Sequence, residues 1–468
     1  MSTHASLVLI MLVACGPAGR LSDDDDGPCR PGATAACYSG QDGTEGVGPC
    51  HAGNKICNAD QTWSACNNEV APSAEDCSDA VDNNCNGMTD EDVDLDGDGF
   101  TTCAGNDCCD STECGGPEFV NEGAYDAPGN SVDDDCNGVI DDTVTVCDQA
   151  LASNTQTASD FAKAIDLCQA ATMADRRWGV IDAKISFSDG DGTPDPRGHA
   201  VRPTFGPNVP ALAGTKLAIL STGAAAAEGD RDPDYHSWVD GYAHRIPNTS
   251  DFPRDFMELN NDRLPNAPGC PNVDSDEYAN DVQMLTLRVR VPTNAKSFKF
   301  STNFYSSEFP EYTCSEYNDF FVALLDSTYA GTPGNPADKN LAFYEQPTTM
   351  MKYPLGINLG HGNTGLFTQC RNGKTGCAGK AGTITTCTGT DMLVGTGFDD
   401  SASGQCESGS IEGGATGWLT TSGNVTPGEI ITLRIAIWDT SDHQRDSLAL
   451  LDAWEWSTEL ATPGTVIQ

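Results

Sequence analysis

Val282-Gln283-Met284-Leu285-Thr286-Leu287-Arg288-Val289-Arg290-Val291 sets apolar side chains at Val282, Met284, Leu287, Val289 and Val291 in partial alternation with polar ones. Successive side chains of a strand point to opposite faces, so this period predicts a half-buried β-strand. Residues 178–187, 217–221, 298–304, 320–325, 430–438 and 447–456 are runs of the same character, rich in β-branched and aromatic residues. Gly- and Pro-rich loops separate them. Many strands and little helix predict a mainly β fold, with a jelly-roll-like β-sandwich over residues 148–468 that carries large insertions. One helix is expected within residues 150–171, where Phe161, Ile165 and Cys168 recur at helical spacing and Asp160 offers a local cap.

Upstream of the sandwich the composition changes. The chain has 468 residues, with Lys+Arg 25 against Asp+Glu 69 and a net charge of -44. From Gly16 to Cys147 there are 29 acidic and 3 basic residues, so 26 of those negative charges sit there. Such a surface repels nucleic acid and anionic lipid and attracts cations. Most of the 21 cysteines lie in the same stretch, which fits an oxidising compartment. Apolar residues are sparse, so residues 29–147 need disulfides, metal ions or both, and little regular structure is expected.

Two segments in this region are alike: Asp82-Asn83-Asn84-Cys85-Asn86-Gly87-Met88-Thr89-Asp90-Glu91 and Asp133-Asp134-Asp135-Cys136-Asn137-Gly138-Val139-Ile140-Asp141-Asp142. Each Asn-Gly supplies a turn into which flanking carboxylates point their oxygens, with Asp82, Asp90, Asp133, Asp135 and Asp141 as the candidate ligands. Between them, Asp94-Leu95-Asp96-Gly97-Asp98-Gly99-Phe100 matches the first half of an EF-hand-type calcium loop. Asp94, Asp96 and Asp98 supply carboxylates and Phe100 its carbonyl. Gly105 stands where the closing Glu belongs, so Asp107 or Asp110 is expected to close the site, as in disulfide-rich calcium repeats of thrombospondin type. Hard oxygen donors favour Ca2+ over transition metals. The segment from Cys29 to Cys147 resembles the MopE-type repeat of bacterial surface proteins, a metal-binding motif. Some relatives are linked to copper, which keeps copper acquisition or storage as an alternative function. The segment offers only His51 as an imidazole ligand.

The C-terminal region carries a second acidic signature. Asn303-Phe304-Tyr305-Ser306-Ser307-Glu308-Phe309-Pro310-Glu311-Tyr312 is followed by Tyr317-Asn318-Asp319-Phe320-Phe321, and later by Leu433-Arg434-Ile435-Ala436-Ile437-Trp438-Asp439 and by Asp442 to Asp446-Ser447. Together these resemble the choice-of-anchor L domain, a β-rich module of secreted and surface proteins. If the loops share an edge of the sandwich, Glu308, Glu311, Asp319, Asp439 and Asp446 repel one another unless a cation sits among them. A calcium site similar to that of CUB-type sandwiches is one reading. The other is that these carboxylates pair with Arg434 or Arg445, or cap turns.

The N-terminus reads as a signal peptide over residues 1–14, ending Leu12-Val13-Ala14-Cys15-Gly16. This resembles a bacterial lipobox, with Cys15 the lipidated residue and residues 15–28 an acidic linker. The apolar run is too short to span a bilayer. Membrane attachment through the lipid implies an outer-membrane, cell-surface or secreted location. No His-Glu-x-x-His or Gly-x-Ser-x-Gly pattern occurs, so the chain is not expected to be an enzyme. His236 and His244 with Asp234 and Asp240 form a conceivable metal site, and the alternative function is a secreted hydrolase in the insertion 221–281 that depends on His236 or His244. The favoured expectation is a lipid-anchored protein with calcium-binding repeats, whose sandwich meets an extracellular ligand or matrix component.

Overall fold

The computed structural model describes residues 29–468, except 74, 77, 78, 91, 93, 95, 102, 104–106, 111–115, 143–145, 240–247, 271–277, 362–363, 379–386 and 400–412. The signal peptide, Cys15 and the acidic linker therefore lie outside the described residues, as do Cys406, Asp240 and His244. The chain forms two compact units, Met1–Val93 with Thr102–Ala104, and Asp94–Thr101 with Gly105–Gln468. Every described cysteine is disulfide-bonded.

The first unit is built on an antiparallel pair, Thr34–Cys37 against Gly53–Ile56. Cys29–Cys57, Cys37–Cys66 and Cys50–Cys85 staple it. Among its described residues, the buried apolar side chains are Cys50, Cys57 and Cys85. Cystine sulfur thus takes the place of a hydrocarbon core, as the sparse apolar composition requires.

The second unit holds two antiparallel sheets. The larger, seven-stranded sheet runs in the order Gly464–Ile467, Leu419–Asn424, Ser297–Ser306, Ser447–Ser457, Leu217–Ser221, His199–Arg202, with Gly414–Ala415 paired to Ser297–Ser306. The smaller, five-stranded sheet runs Phe320–Asp326, Ile430–Asp439, Ala279–Arg290, Gly179–Ser186, with Thr249–Ser250 beside Ala279–Arg290. The fold is mainly β, and the sheets form the expected sandwich. The main core joins Val201, Ala218, Leu220, Phe298, Phe300, Ala449 and Leu451 of the larger sheet to Leu285, Leu287, Val289, Phe321, Ala323, Leu433, Ile435 and Ile437 of the smaller.

Both outer faces are covered as well. Leu217, Ile219, Tyr305, Leu448 and Leu450 pack under Phe205, Trp238, Leu393 and Phe398 from the insertions. Val282, Met284, Phe320, Val322, Leu324, Ala436 and Trp438 pack under Phe252 and Phe256. This corrects the half-buried reading of residues 282–291. Val282 and Met284 face one core while Leu285, Leu287, Val289 and Val291 face the other, and only toward the strand's end does a polar face emerge, at Thr286, Arg288 and Arg290. The short helix Arg254–Leu259 closes that outer face with Phe256, which is fully buried.

The expected helix is shorter than its pattern. It spans Ala158–Ala164, with Thr157 at the N-cap position. Asp160 lies inside the first turn and accepts a hydrogen bond from Thr155 Oγ1 at 2.7 Å. The helix stops because Asp166 adopts φ 73°, in the left-handed region. Phe161 and Ile165 are buried as their spacing predicts, while Cys168 leaves the helical register to bond Cys147.

Candidate metal centres

The acidic segments fold into three loops of one design. In the first, the N–H groups of Asn86 and Gly87 donate to Asp82 Oδ1 and Oδ2 at 3.1 and 3.0 Å. In the second, Gly97 and Gly99 donate to Asp94 Oδ1 and Oδ2 at 2.6 and 3.0 Å. In the third, Asn137 and Gly138 donate to Asp133 Oδ1 and Oδ2 at 3.1 and 2.8 Å. Side chains at the third and fifth positions repeat the pattern. Asn84, Asp96 and Asp135 each accept from the N–H two residues on, and so do Asn86, Asp98 and Asn137. The fourth and sixth residues all have positive φ: Cys85 and Gly87, Gly97 and Gly99, Cys136 and Gly138. Glycine at the sixth position bears that conformation without steric cost. Asp90 and Asp141, each eight residues after the first Asp of its loop, also have positive φ. The two-fold repeat read from the sequence is therefore three-fold in backbone. The shared spelling Asp-x-Asp/Asn-x-Asp/Asn-Gly was the signal for it, and it adds Asn84, Asn86 and Asn137 to the candidate donors.

The middle loop is the most complete. Ligand oxygens of Asp94, Asp96 and Asp98 lie within 4.8 Å of one another, and so do those of Asp96, Asp107 and Asp110. The downstream pair expected to close the site is thus brought to it. The Asp96 N–H donates to Asp110 Oδ1 at 3.2 Å. Asp107 is 3% exposed, and its Oδ2 has no hydrogen-bond partner. Burial, reinforced by Asp98, Asp110 and Asp96, pushes the Asp107 carboxyl up to about 6. Asn121 Nδ2 donates to Asp98 Oδ2 at 2.6 Å and steadies it. Phe100 turns its ring inward at 3% exposure, under the guanidinium of Arg176 3.9 Å from the ring centroid.

The sandwich carries the second concentration. Glu308 follows Ser297–Ser306 and Asp446 precedes Ser447–Ser457, and those strands pair Ser306 with Ser447. Asp319 precedes Phe320–Asp326 and Asp439 ends Ile430–Asp439, and those strands pair Phe320 with Trp438. Two connections, residues 307–319 and 440–446, cross between the sheets at the same end. Glu308, Glu311, Asp319, Asp439 and Asp446 are each at most 1% exposed. Glu308 Oε2 and both carboxylate oxygens of Asp319 and Asp439 have no hydrogen-bond partner. Burial first, then the charges of Asp319 and Asp442, holds the Glu308 carboxyl far above its usual range. Burial followed by Asp319, Glu308 and Asp442 does the same to Asp439. Asp446 is raised by burial and by Asp281, Asp319 and Asp442. A Cβ on Gly223 would collide with Asp446 Oδ2, so glycine there is what lets that carboxylate lie flat on the backbone.

The sequence missed Asp281, 3% exposed at the start of Ala279–Arg290, whose Oδ2 lies 2.9 Å from His443 Nδ1. A lone Asp entering an apolar strand is the weak signal that pointed to it. The alternative pairing with Arg434 is corrected: Arg434 lies against Asp255 and Asp326 instead. The Arg445 guanidinium stands 4.7 Å over the Tyr312 ring, and its charge favours ionised Glu308. Cys270, Cys314 and His361 also lie close together, but Cys270–Cys314 is a disulfide and offers no thiolate. In the insertion 221–281, His236 and Asp234 lie among the described residues, and Asp240 and His244 lie outside them.

A cavity of about 150 Å3 is lined by Tyr125, Trp178, Trp454 and Trp456 together with Asp135 and Asp166, among others. Among the described residues, no helix is long and apolar enough to cross a membrane.

Residues 260–456 match the model of the Choice-of-anchor L domain. No curated protein and no solved structure matches the chain. The domain match and the disulfides agree on a cell-surface or secreted protein.

Proposed function

We propose that this chain is a lipid-anchored surface protein whose acidic loops bind calcium and whose β-sandwich is held outward for adhesion or ligand binding. The observation that carries the calcium reading is Asp107, a buried carboxylate with an unpartnered oxygen among Asp96 and Asp110. A buried carboxylate without a partner is costly unless protonated or bound to a cation. Hard oxygens at EF-hand spacing suit calcium. Copper acquisition is the weaker reading, because the described cysteines are all disulfide-bonded and offer no thiolate. The ligand-binding half of the reading is supported by the cavity with tryptophan walls and acidic residues, a surface suited to polar ligands with an apolar face.

The test uses the mature chain. Calcium titration of the wild type and of an Asp96→Asn/Asp107→Asn variant is followed by native mass spectrometry. The variant should bind fewer calcium ions, and saturating calcium should stabilise the wild type by about 2.7 kcal/mol at a hundred times Kd. An unchanged ion count in the variant sinks the loop assignment. Cys15→Ser should abolish metabolic labelling with palmitate; labelling that persists sinks the lipid anchor.

A further inference from the structure

The two sheets of the sandwich contribute to the buried acidic cluster in equal measure. Glu308 and Asp446 flank strands of the larger sheet, and Asp319 and Asp439 flank strands of the smaller one. They stand at the end where both connections cross, near enough that the charges of Asp319 and Glu308 act on Asp439 and that of Asp319 acts on Asp446. We infer that Glu308, Asp319, Asp439 and Asp446 hold a divalent cation, calcium by the chemistry of the donors, that clasps the two sheets together at this end.

The argument is one of unmet charge. Glu308 Oε2 and both carboxylate oxygens of Asp319 and Asp439 make no hydrogen bond, although those side chains are at most 1% exposed. An ionised carboxylate taken from water without a partner is strongly disfavoured. Among the described residues, the cationic side chains that reach the cluster include Arg445, felt at Glu308, and His443, bonded to Asp281. Against them stand Glu308, Asp319, Asp439 and Asp446, with Asp281 and Asp442 beside them. Several carboxylates converging from different strands match the six to eight oxygens that calcium takes in a flexible cage, and exceed what magnesium, which keeps its waters, draws from protein. The cation removes the repulsion that would otherwise part the sheets. The lock is separate from the calcium of the acidic loops and does not rest on it.

Hydrogen exchange of the full mature chain in calcium and in chelator tests this. Peptides spanning residues 307–319 and 438–447 should exchange at least about tenfold faster in chelator, with the sheet centres little changed. The same calcium dependence should persist in the Asp96→Asn/Asp107→Asn variant, so failure of the loop assignment leaves the clasp standing. An Asp319→Asn/Asp439→Asn variant that folds should exchange slowly in these peptides with or without calcium. Calcium-independent exchange in the wild type would overturn the clasp and leave the carboxylates sharing protons. Dependence that disappears in the loop variant overturns it too.

Discussion

Arg434 grips Asp255 with both ends of its guanidinium: Nη1 donates to Oδ1 at 2.9 Å and Nη2 to Oδ2 at 2.7 Å. Lys339 Nζ adds a contact to Asp255 Oδ2 at 2.7 Å. The ion pair fastens the short helix Arg254–Leu259 over the smaller sheet, and it commits Arg434 away from the buried acids.

Replacing Asp255 with Ala should destabilise the second unit by roughly 1–2 kcal/mol, discounted for the partial exposure of the pair. The two cations hold the Asp255 carboxyl well below its usual range despite partial burial. A depressed carboxylate stabilises above the unfolded pKa and loses that contribution as pH falls through the folded one. The variant's deficit in a urea melt should therefore be constant from pH 5 to 8 and shrink only in stronger acid. A deficit that grows toward pH 5 would contradict this.

Asp166 should give the opposite sign. Burial, with Asp148 and Glu455 nearby, pushes its carboxyl up to about 6. A raised carboxylate favours the folded state at low pH and costs stability as pH climbs from the unfolded value through the folded one. Asp166→Asn also suits the positive φ at this position. We expect the variant to gain about 1 kcal/mol at pH 7.5, with the gain gone below pH 4. A loss at pH 7.5 in chemical denaturation would refute it.

Phe256→Ala should cost about 3–5 kcal/mol, because its ring is fully buried over the outer face of the smaller sheet. An outer face open to water, as the alternating pattern alone suggested, predicts a change below about 1 kcal/mol. Denaturant midpoints of wild type and variant separate the two.

Cys147–Cys168 closes a sequence separation of 21 residues and anchors the segment behind the helix. Replacing both cysteines with serine should lower stability by about 3 kcal/mol through the freed chain entropy of the unfolded state. A midpoint within about 0.5 kcal/mol of wild type would show that the crosslink is redundant with the packing around Ile165.

Where the fold was legible, hydrocarbon wrote it. Residues 217–221 and 430–438 announced their strands because their Leu and Ile leave no other stable use for them. His199–Arg202 and Leu419–Asn424 were silent. The first mixes His and Arg with Ala and Val, and the second reads Leu-Thr-Thr-Ser-Gly-Asn, yet both lie in the larger sheet. Their place is fixed by neighbours, such as Thr421 and Thr465, whose hydroxyls meet at 2.9 Å. The acids of the candidate centres were legible as residues because carboxylates before and after apolar strands stand out. Their grouping was less so. The missing twelfth-position Glu pointed to Asp107 and Asp110 beside the middle loop, but Asp281 gave almost no sign. The helix was overcalled because Phe161, Ile165 and Cys168 keep helical spacing beyond the point where Asp166 turns the backbone away.

Among the described residues of the first unit, the buried apolar groups are cystine sulfurs. Its unfolding releases hardly any oily surface into water, and the heat-capacity step that normally accompanies melting should be close to nil. A scanning calorimeter will trace the sandwich-bearing unit alone, while a mild thiol reagent at room temperature dismantles the hairpin without any heat signature. The molecule thus has one part that fails by temperature and another that fails by redox potential.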